Sequence, residues 1–235
     1  MIFITGDTHG TFNMSKLDVF AVGDGKNLTK NDFVIIAGDF GVIWDASETM
    51  KEKRTIHEYN CFPFTTLFVD GNHENHDRLD RLPTEEKFGS DVGVVSESIF
   101  HLRRGRIYEI DGKKIWTMGG GFSIDKVRRK EFISWWKQEL PSMAEMMKGV
   151  EVLEDAGKEV DFIVTHASPR AAFEFLNTKK ALAFKDVKEE LEFQEYLQDV
   201  ACEVKFKKWF FGHLHIDLEI DKNFTSLYNV VREMK

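Results

Sequence analysis

The chain of 235 residues is poor in the residues that staple, break or anchor a protein: two cysteines, four prolines and no long apolar run. Cys61 and Cys202 lie far apart and in no C-x-x-C pattern, which argues against a disulfide framework and predicts reduced thiols packed in a core. No apolar run approaches the roughly 18 residues that a membrane helix needs. The opening "MIFITGD" lacks the basic region and apolar length of a signal peptide, so a cytoplasmic protein without membrane contact is expected. There is no excess of positive charge either. The formal charge of -8 opposes non-specific attraction to phosphate backbones. With no repeat, low-complexity tract or Pro/Gly/Ser linker to mark a boundary, residues 1–235 read as one domain.

Short apolar runs are plentiful, and each stops abruptly at a polar or glycine-containing turn. They are "IFIT" before Gly6, "FVIIA" before Gly38, "TLFVD" before Gly71, "DFIVT" before His166 and "KWFF" before Gly212. Near-continuous runs of four or five apolar residues are the pattern of strands buried on both faces. A helical segment over 47–60 separates two of them, which predicts βαβ units, a mainly parallel sheet and an α/β fold class. In "RIYEIDGKKIWTMGG", Asp111-Gly112 between alternating segments predicts a hairpin and antiparallel strands. Ser142 and Glu145 fit a capping box, "DVKEELEFQEYLQDV" a helix beginning at Asp186, and "HIDLEIDKNFTSLYNVV" a return to strands.

The polar residues at the ends of these runs are chemically consistent. Asp7 and His9 come after the first, Asp39 after the second, Asn72 and His73 in "GNHE" after the third, His166 in "THASP" after the fourth, and His213 and His215 in "GHLH" after the fifth. In an open α/β sheet the turns beyond the carboxyl ends of neighbouring strands converge on one crevice. Carboxylate, amide and imidazole ligands without a thiolate suit zinc, iron, manganese or nickel. Seven candidate ligands exceed what one tetrahedral ion takes, whereas two ions sharing a bridging carboxylate would use them all.

Each residue also has a plainer reading. Asp7 and Asp39 suit helix caps or turns, Asn72 a turn residue, and His166 a partner for a backbone carbonyl. His57, His76 and His101 stand away from the motifs and are expected on the surface or as satisfied core residues. Trp135 and Trp136 read as core fillers, while Trp44 and Asp45, close after Asp39, are candidates for a pocket wall. The basic runs at 126–130 and 102–106 are each either a solvated face or a phosphate-reading rim. Gly6, Gly10, Gly38, Gly41, Gly71, Gly212 and Gly119 to Gly121 are expected to let backbone pass close to a metal site.

The ordered set G-D-x-H, G-D, G-N-H-E, T-H and G-H-x-H resembles the calcineurin-like metallophosphoesterases and runs from Asp7 to His215. The resemblance implies a two-sheet β-sandwich core with βαβ units flanked by helices. It further implies that Asp7, His9 and His215 hold one metal, Asn72, His166 and His213 the other, and that Asp39 bridges both. His73 is then the catalytic residue, stabilising the transition state or protonating the leaving oxygen. The implied cofactors are two divalent or transition ions (Mn, Fe or Zn), and the implied reaction is hydrolysis of a phosphomonoester or phosphodiester by in-line attack of a metal-bridging hydroxide. A small phosphorylated partner, including nucleotide types, fits that chemistry. Relatives with the forms "GDTHG" and "GNHE" carry G-D-x-x-D-R-G at the second motif. Here "GDFGVIWD" lacks the Asp-Arg pair, so a protein-phosphatase assignment is in doubt. Two rivals stay open: a metal-dependent amidohydrolase, which would need a (β/α)₈ barrel, and a non-catalytic binding scaffold on the same fold.

Overall fold

Residues 1–179 and 188–235 are described by the structure, a computed structural model. In chain order the elements are β1 (Ile2–Thr5), α1 (Ser15–Val22), β2 (Phe33–Ala37), α2 (Met50–Cys61), β3 (Thr65–Val69), α3 (His76–Leu79), β4 (Thr84–Lys87), β5 (Ser90–Ser96), β6 (Ile99–Leu102), β7 (Arg106–Ile110) and β8 (Lys113–Met118). They continue with α4 (Met143–Asp155), β9 (Phe162–Thr165), α5 (Arg170–Thr178), α6 (Lys188–Glu203), β10 (Lys208–Phe211), β11 (Leu218–Glu219), β12 (Phe224–Ser226) and β13 (Arg232–Glu233).

All five apolar runs form strands, and they divide between two sheets. The first has the order β13-β1-β2-β3-β6-β5-β4 and the second β11-β12-β10-β9-β8-β7. At the centre the pairing is parallel: β1 with β2, β2 with β3, β8 with β9 and β9 with β10. Residue alternation explains why the runs are apolar throughout. Ile4, Ile35, Leu67, Phe162, Val164 and Phe210 pack in the core between the sheets. Their neighbours Val34, Ile36 and Phe68 face outward onto Leu17, Phe20 and Tyr59 of α1 and α2. On the other side Ile163, Trp209 and Phe211 meet Leu153, Phe173, Phe193 and Leu197 of α4, α5 and α6. A strand covered on both faces takes mostly apolar side chains, and the polar ones held here are threonines such as Thr5, Thr66 and Thr165. The fold is thus the two-sheet α/β core flanked by helices; it is not the barrel that an amidohydrolase would need.

Local chemistry follows the sequence closely. Helix α2 starts after Thr49, whose side chain accepts from Glu52 N, within the expected 47–60. Ile110 pairs with Lys113 across Asp111 (φ 48) and Gly112 (φ 69), the two left-handed residues of a type I′ hairpin. The capping box at Ser142 and Glu145 is present on α4. The start of the predicted helix at Asp186 lies outside the described residues. Both cysteines contradict expectation, because Cys61 and Cys202 are exposed. Each lies two positions past a buried residue, Tyr59 in α2 and Val200 in α6, and so turns off the apolar stripe. Among the described residues no helix is long and apolar enough to cross a membrane.

Candidate metal centre

Because the central strands run parallel within each sheet, their carboxyl-end turns collect at one rim, and the two rims are joined there. The His166 Nδ1 hydrogen bonds the Ala37 carbonyl across the sheets at 2.9 Å. His213 N donates to Asp7 Oδ1 at 3.0 Å. The turns are tight enough to strain the backbone: His9 (φ 47), Asp39 (φ 50), His213 (φ 66) and His215 (φ 54) are left-handed. They make up half of the eight such non-glycine residues described, and each costs about 1–3 kcal/mol. Glycine is required where ligand and backbone meet. A Cβ on Gly71 would lie 2.1 Å from Asp39 Oδ1, and one on Gly212 would lie 2.3 Å from Asp7 Oδ1.

Asp7, His9, Asp39 and His215 offer ligand atoms that all lie within 4.8 Å of one another. His215 Nε2 is 3.0 Å from Asp7 Oδ2 and 3.1 Å from His9 Nε2, and His9 Nε2 is 3.9 Å from Asp7 Oδ2. Asp7 is completely buried. Burial alone would raise its pKa, but the His215 contact and the His166 charge bring it below the usual carboxylate range.

A second group lies on the other side of Asp39. His166 Nε2 is 3.3 Å from Asp39 Oδ1 and 3.2 Å from Asn72 Oδ1, and its ring centroid is 4.8 Å from that of His213. Asp39 thus turns Oδ1 to one group while Oδ2 is 3.7 Å from His9 Nδ1 in the other. A buried glutamate sets His213, with Oε1 of Glu190 3.1 Å from its Nε2 and accepting from Phe122 N at 2.9 Å.

These donor sets fit cations. Ligand atoms about 2.0–2.2 Å from an ion stand about 3.0–3.6 Å from one another, and most of the separations above fall in or near that band. Tautomer chemistry points the same way. The Ala37 carbonyl only accepts, so His166 Nδ1 carries a hydrogen and a neutral ring aims its Nε2 lone pair at two oxygens. Such a meeting of acceptors needs a positive charge among them. In the protein alone a proton supplies it: burial works against charge, yet Asp39 carries the His166 pKa up to about 10. A divalent cation answers the same electrostatic demand.

His73 stands beside both groups. Its backbone N–H donates to Asp39 Oδ1 at 2.8 Å, and its ring meets His9 edge-on with centroids 4.7 Å apart. Trp44 stacks on it at 5.6 Å and 23°, and Arg129 Nη2 donates to its Nε2 at 2.9 Å. Burial, helped by the Arg129 charge and opposed by Asp39, lowers the His73 pKa to about 4 and leaves the ring neutral. A cavity of ≈ 210 Å³ opens here, with His9, His73, Trp44, Asp45 and Lys51 among its lining.

All eight residues singled out in the sequence, His73 and the seven candidate ligands, therefore meet at one rim. His57 is exposed, while His76 and His101 are buried next to Asp70, with His101 Nε2 3.1 Å from Asp70 Oδ1. Trp136 is buried and Trp44 and Asp45 line the cavity. The basic run at 102–106 lies elsewhere: Arg104 pairs with Asp70 at 2.5 Å and Arg106 with Asp91 at 2.6 Å. Three contributors lie outside the strand-end motifs, and of them only Arg129 belongs to a segment that the sequence marks, the basic run at 126–130. Lys16 donates to the carbonyls of Gly6 and Asp7, both at 2.8 Å, and of Tyr228, and burial lowers its pKa to about 8. Glu190 and Arg129 are the others. None of the three follows a strand, so no spacing marks it.

The chain is similar to the lariat debranching enzyme of Schizosaccharomyces pombe, 26% identical over 79% of this chain and 43% of the relative. It is similar to lariat debranching enzyme A of Xenopus laevis, 24% identical over 81% of this chain and 38% of the relative. The chain thus spans about two-fifths of the length of these relatives. A solved structure, phosphopantetheinyl hydrolase (PptH) from Mycobacterium tuberculosis, aligns over 97% of this chain and 89% of its own at 14% identity, with a TM-score of 0.37 that is too low to bear on function. A sequence model of the calcineurin-like phosphoesterases matches residues 1–217, and the chain belongs to that family, whose members act on phosphate ester bonds.

Proposed function

We propose that the rim is a binuclear metal centre that hydrolyses phosphodiesters of small, nucleotide-type substrates. The observation that carries this reading is Asp39, a buried carboxylate with one oxygen turned to each of two donor groups. In it, Asp7, His9 and His215 hold one cation, Asn72, His166 and His213 hold the other, and Asp39 serves both. Bound there, two divalent cations, with manganese, iron and zinc all suited to these donors, supply Lewis acidity that activates a water and offsets charge developing on phosphoryl oxygens.

The chain's own residues do the rest. Asp7 and Asp39, both buried, balance charge at the rim, and the strained turns hold the donors before substrate arrives. His73, with its backbone on Asp39 and its ring against His9, is placed to hydrogen-bond a phosphoryl or leaving oxygen. The cavity beside it takes one ester arm against Trp44. The names of the similar relatives support a diester over a monoester. The net charge of -8 favours a short substrate over a long polyanion. Two exposed free thiols suit the reducing cytoplasm. A scaffold without catalysis would not need both donor groups complete.

The test is to strip the protein of metal, restore manganese, iron or zinc, and assay chromogenic diester and monoester substrates side by side. Faster diester turnover with at least one metal is expected. Failure to cleave either ester with any of the three would overturn the reading.

A further inference from the structure

The basic run at 126–130 divides when the chain folds. Lys126 places its ammonium 4.0 Å from the centroid of the Trp135 ring, and Arg128 and Lys130 are exposed. Arg129 turns inward, and its side chain is only 9% exposed. Its Nε is 2.6 Å from Asp125 Oδ1, Nη1 donates to the Asn72 carbonyl at 3.3 Å, and its guanidinium carbon lies 5.9 Å from the centroid of the Trp44 ring. Asp125 and the Asn72 carbonyl thus hold one edge of the fork. The other edge reaches the rim, where Nη2 meets the imidazole of His73.

A guanidinium has five N–H donors and no acceptor. Nη1 also donates to the Ser134 carbonyl at 3.5 Å, so both of its N–H groups are engaged, and of the terminal nitrogens Nη2 alone keeps a second N–H beyond its contact with His73. An imidazole nitrogen is a weaker acceptor for a guanidinium than an anionic oxygen, and the Nη2 edge lies beside a centre built to receive an anion. Phosphoryl oxygens match the two N–H groups of Nη2 in charge, and hydrogen bonds to them are about twice as strong as neutral ones.

We propose that Arg129 binds the non-bridging oxygens of the substrate phosphoryl group, giving up its contact with His73 as it does so. This rests on the reading of the rim as a phosphoesterase centre. Asp125 keeps the guanidinium oriented, and Trp44 supports it from the side. Arg129 is then an affinity group whose movement to the phosphoryl group frees His73 Nε2 to face it.

The test uses the whole metal-loaded protein and two variants, Arg129→Ala and Arg129→Lys, with three readouts: metal content, binding of inorganic phosphate by calorimetry, and diester kinetics. Arg129→Ala is expected to keep its metal and its melting temperature, to bind phosphate ~10- to 100-fold more weakly and to lose a similar factor in kcat/KM. Arg129→Lys should recover only part of both, because an ammonium lacks the fork, and added guanidinium ion should partly rescue Arg129→Ala. Phosphate binding within twofold of the unsubstituted protein in Arg129→Ala would overturn the proposal, as would loss of metal from that variant. Phosphate binding that depends on Arg129 in a protein that cleaves no ester would support Arg129 as an anion ligand and overturn only the hydrolase reading.

Discussion

His166 Nε2 stands 3.2 Å from Asn72 Oδ1, while the other nitrogen of the same ring is committed to the Ala37 carbonyl. A neutral ring has no hydrogen left to place between the first pair, so the arrangement calls for a cation or an added proton. The strain in the surrounding turns has the same origin. Left-handed φ at His9, Asp39, His213 and His215 brings donor atoms to ligand spacing at a cost the fold sustains elsewhere.

His73→Ala should leave the metal content unchanged and lower turnover by about 100- to 10,000-fold, the usual contribution of a positioned proton-transfer or hydrogen-bonding side chain. His73 makes its contact with Asp39 through the backbone, which the substitution keeps. Metal analysis and kcat on the same preparation check this. Loss of metal would place His73 among the ligands.

Glu190→Gln should weaken metal affinity by about 10- to 100-fold, the usual effect of removing a carboxylate that orients a ligating imidazole. The amide keeps the shape of the side chain but no longer offers a charged partner to His213 Nε2. Titration calorimetry with a competing chelator reads the change. An unchanged affinity would show that His213 needs no such support.

Gly71→Ala is expected to lose about 100-fold or more in turnover, because a Cβ 2.1 Å from Asp39 Oδ1 and 2.5 Å from the Asp39 backbone nitrogen must displace both, and small misplacements at a reacting centre are costly. Gly89→Ala is the matching control. It has positive φ (78) but nothing within 4 Å, so it should show a small loss of stability and full activity.

Arg78→Ala should destabilise the protein by about 3 kcal/mol in urea unfolding, since it strands the Glu52 carboxylate in the interior. Both terminal nitrogens of Arg78 reach Glu52 at 2.6 Å, and the carboxylate is 2% exposed. A double variant, Glu52→Gln with Arg78→Met, should cost less than Arg78→Ala alone. A larger cost would mean that the pair itself is the source of the stability.

The rim's ligands are legible in the sequence because one physical rule places them all: a strand buried on both faces reads as an apolar run, and its carboxyl-end turn is where the next polar residue must emerge. The family resemblance adds the sandwich, which periodicity cannot supply. Glu190 and Lys16 are opaque for the converse reason. Glu190 sits in an acidic helix where neighbouring carboxylates look alike, and Lys16 reaches back from α1 to carbonyls that carry no sequence signal; the basic run at 126–130 is visible in the sequence, but not that Arg129 rather than the adjacent Arg128 turns inward. The cysteines depart from expectation because average burial says less about them than the helical stripe off which they fall.

The central claim is that two cations, held on either side of Asp39, are needed together. Stepwise addition of manganese to the chelated protein, with bound metal and diester hydrolysis measured in the same samples, tests it most directly. Hydrolysis should stay low up to one equivalent, rise between one and two and level off at two, and Asp39→Ala should abolish the rise. Full activity at a single equivalent, or two bound equivalents without hydrolysis, would contradict the account.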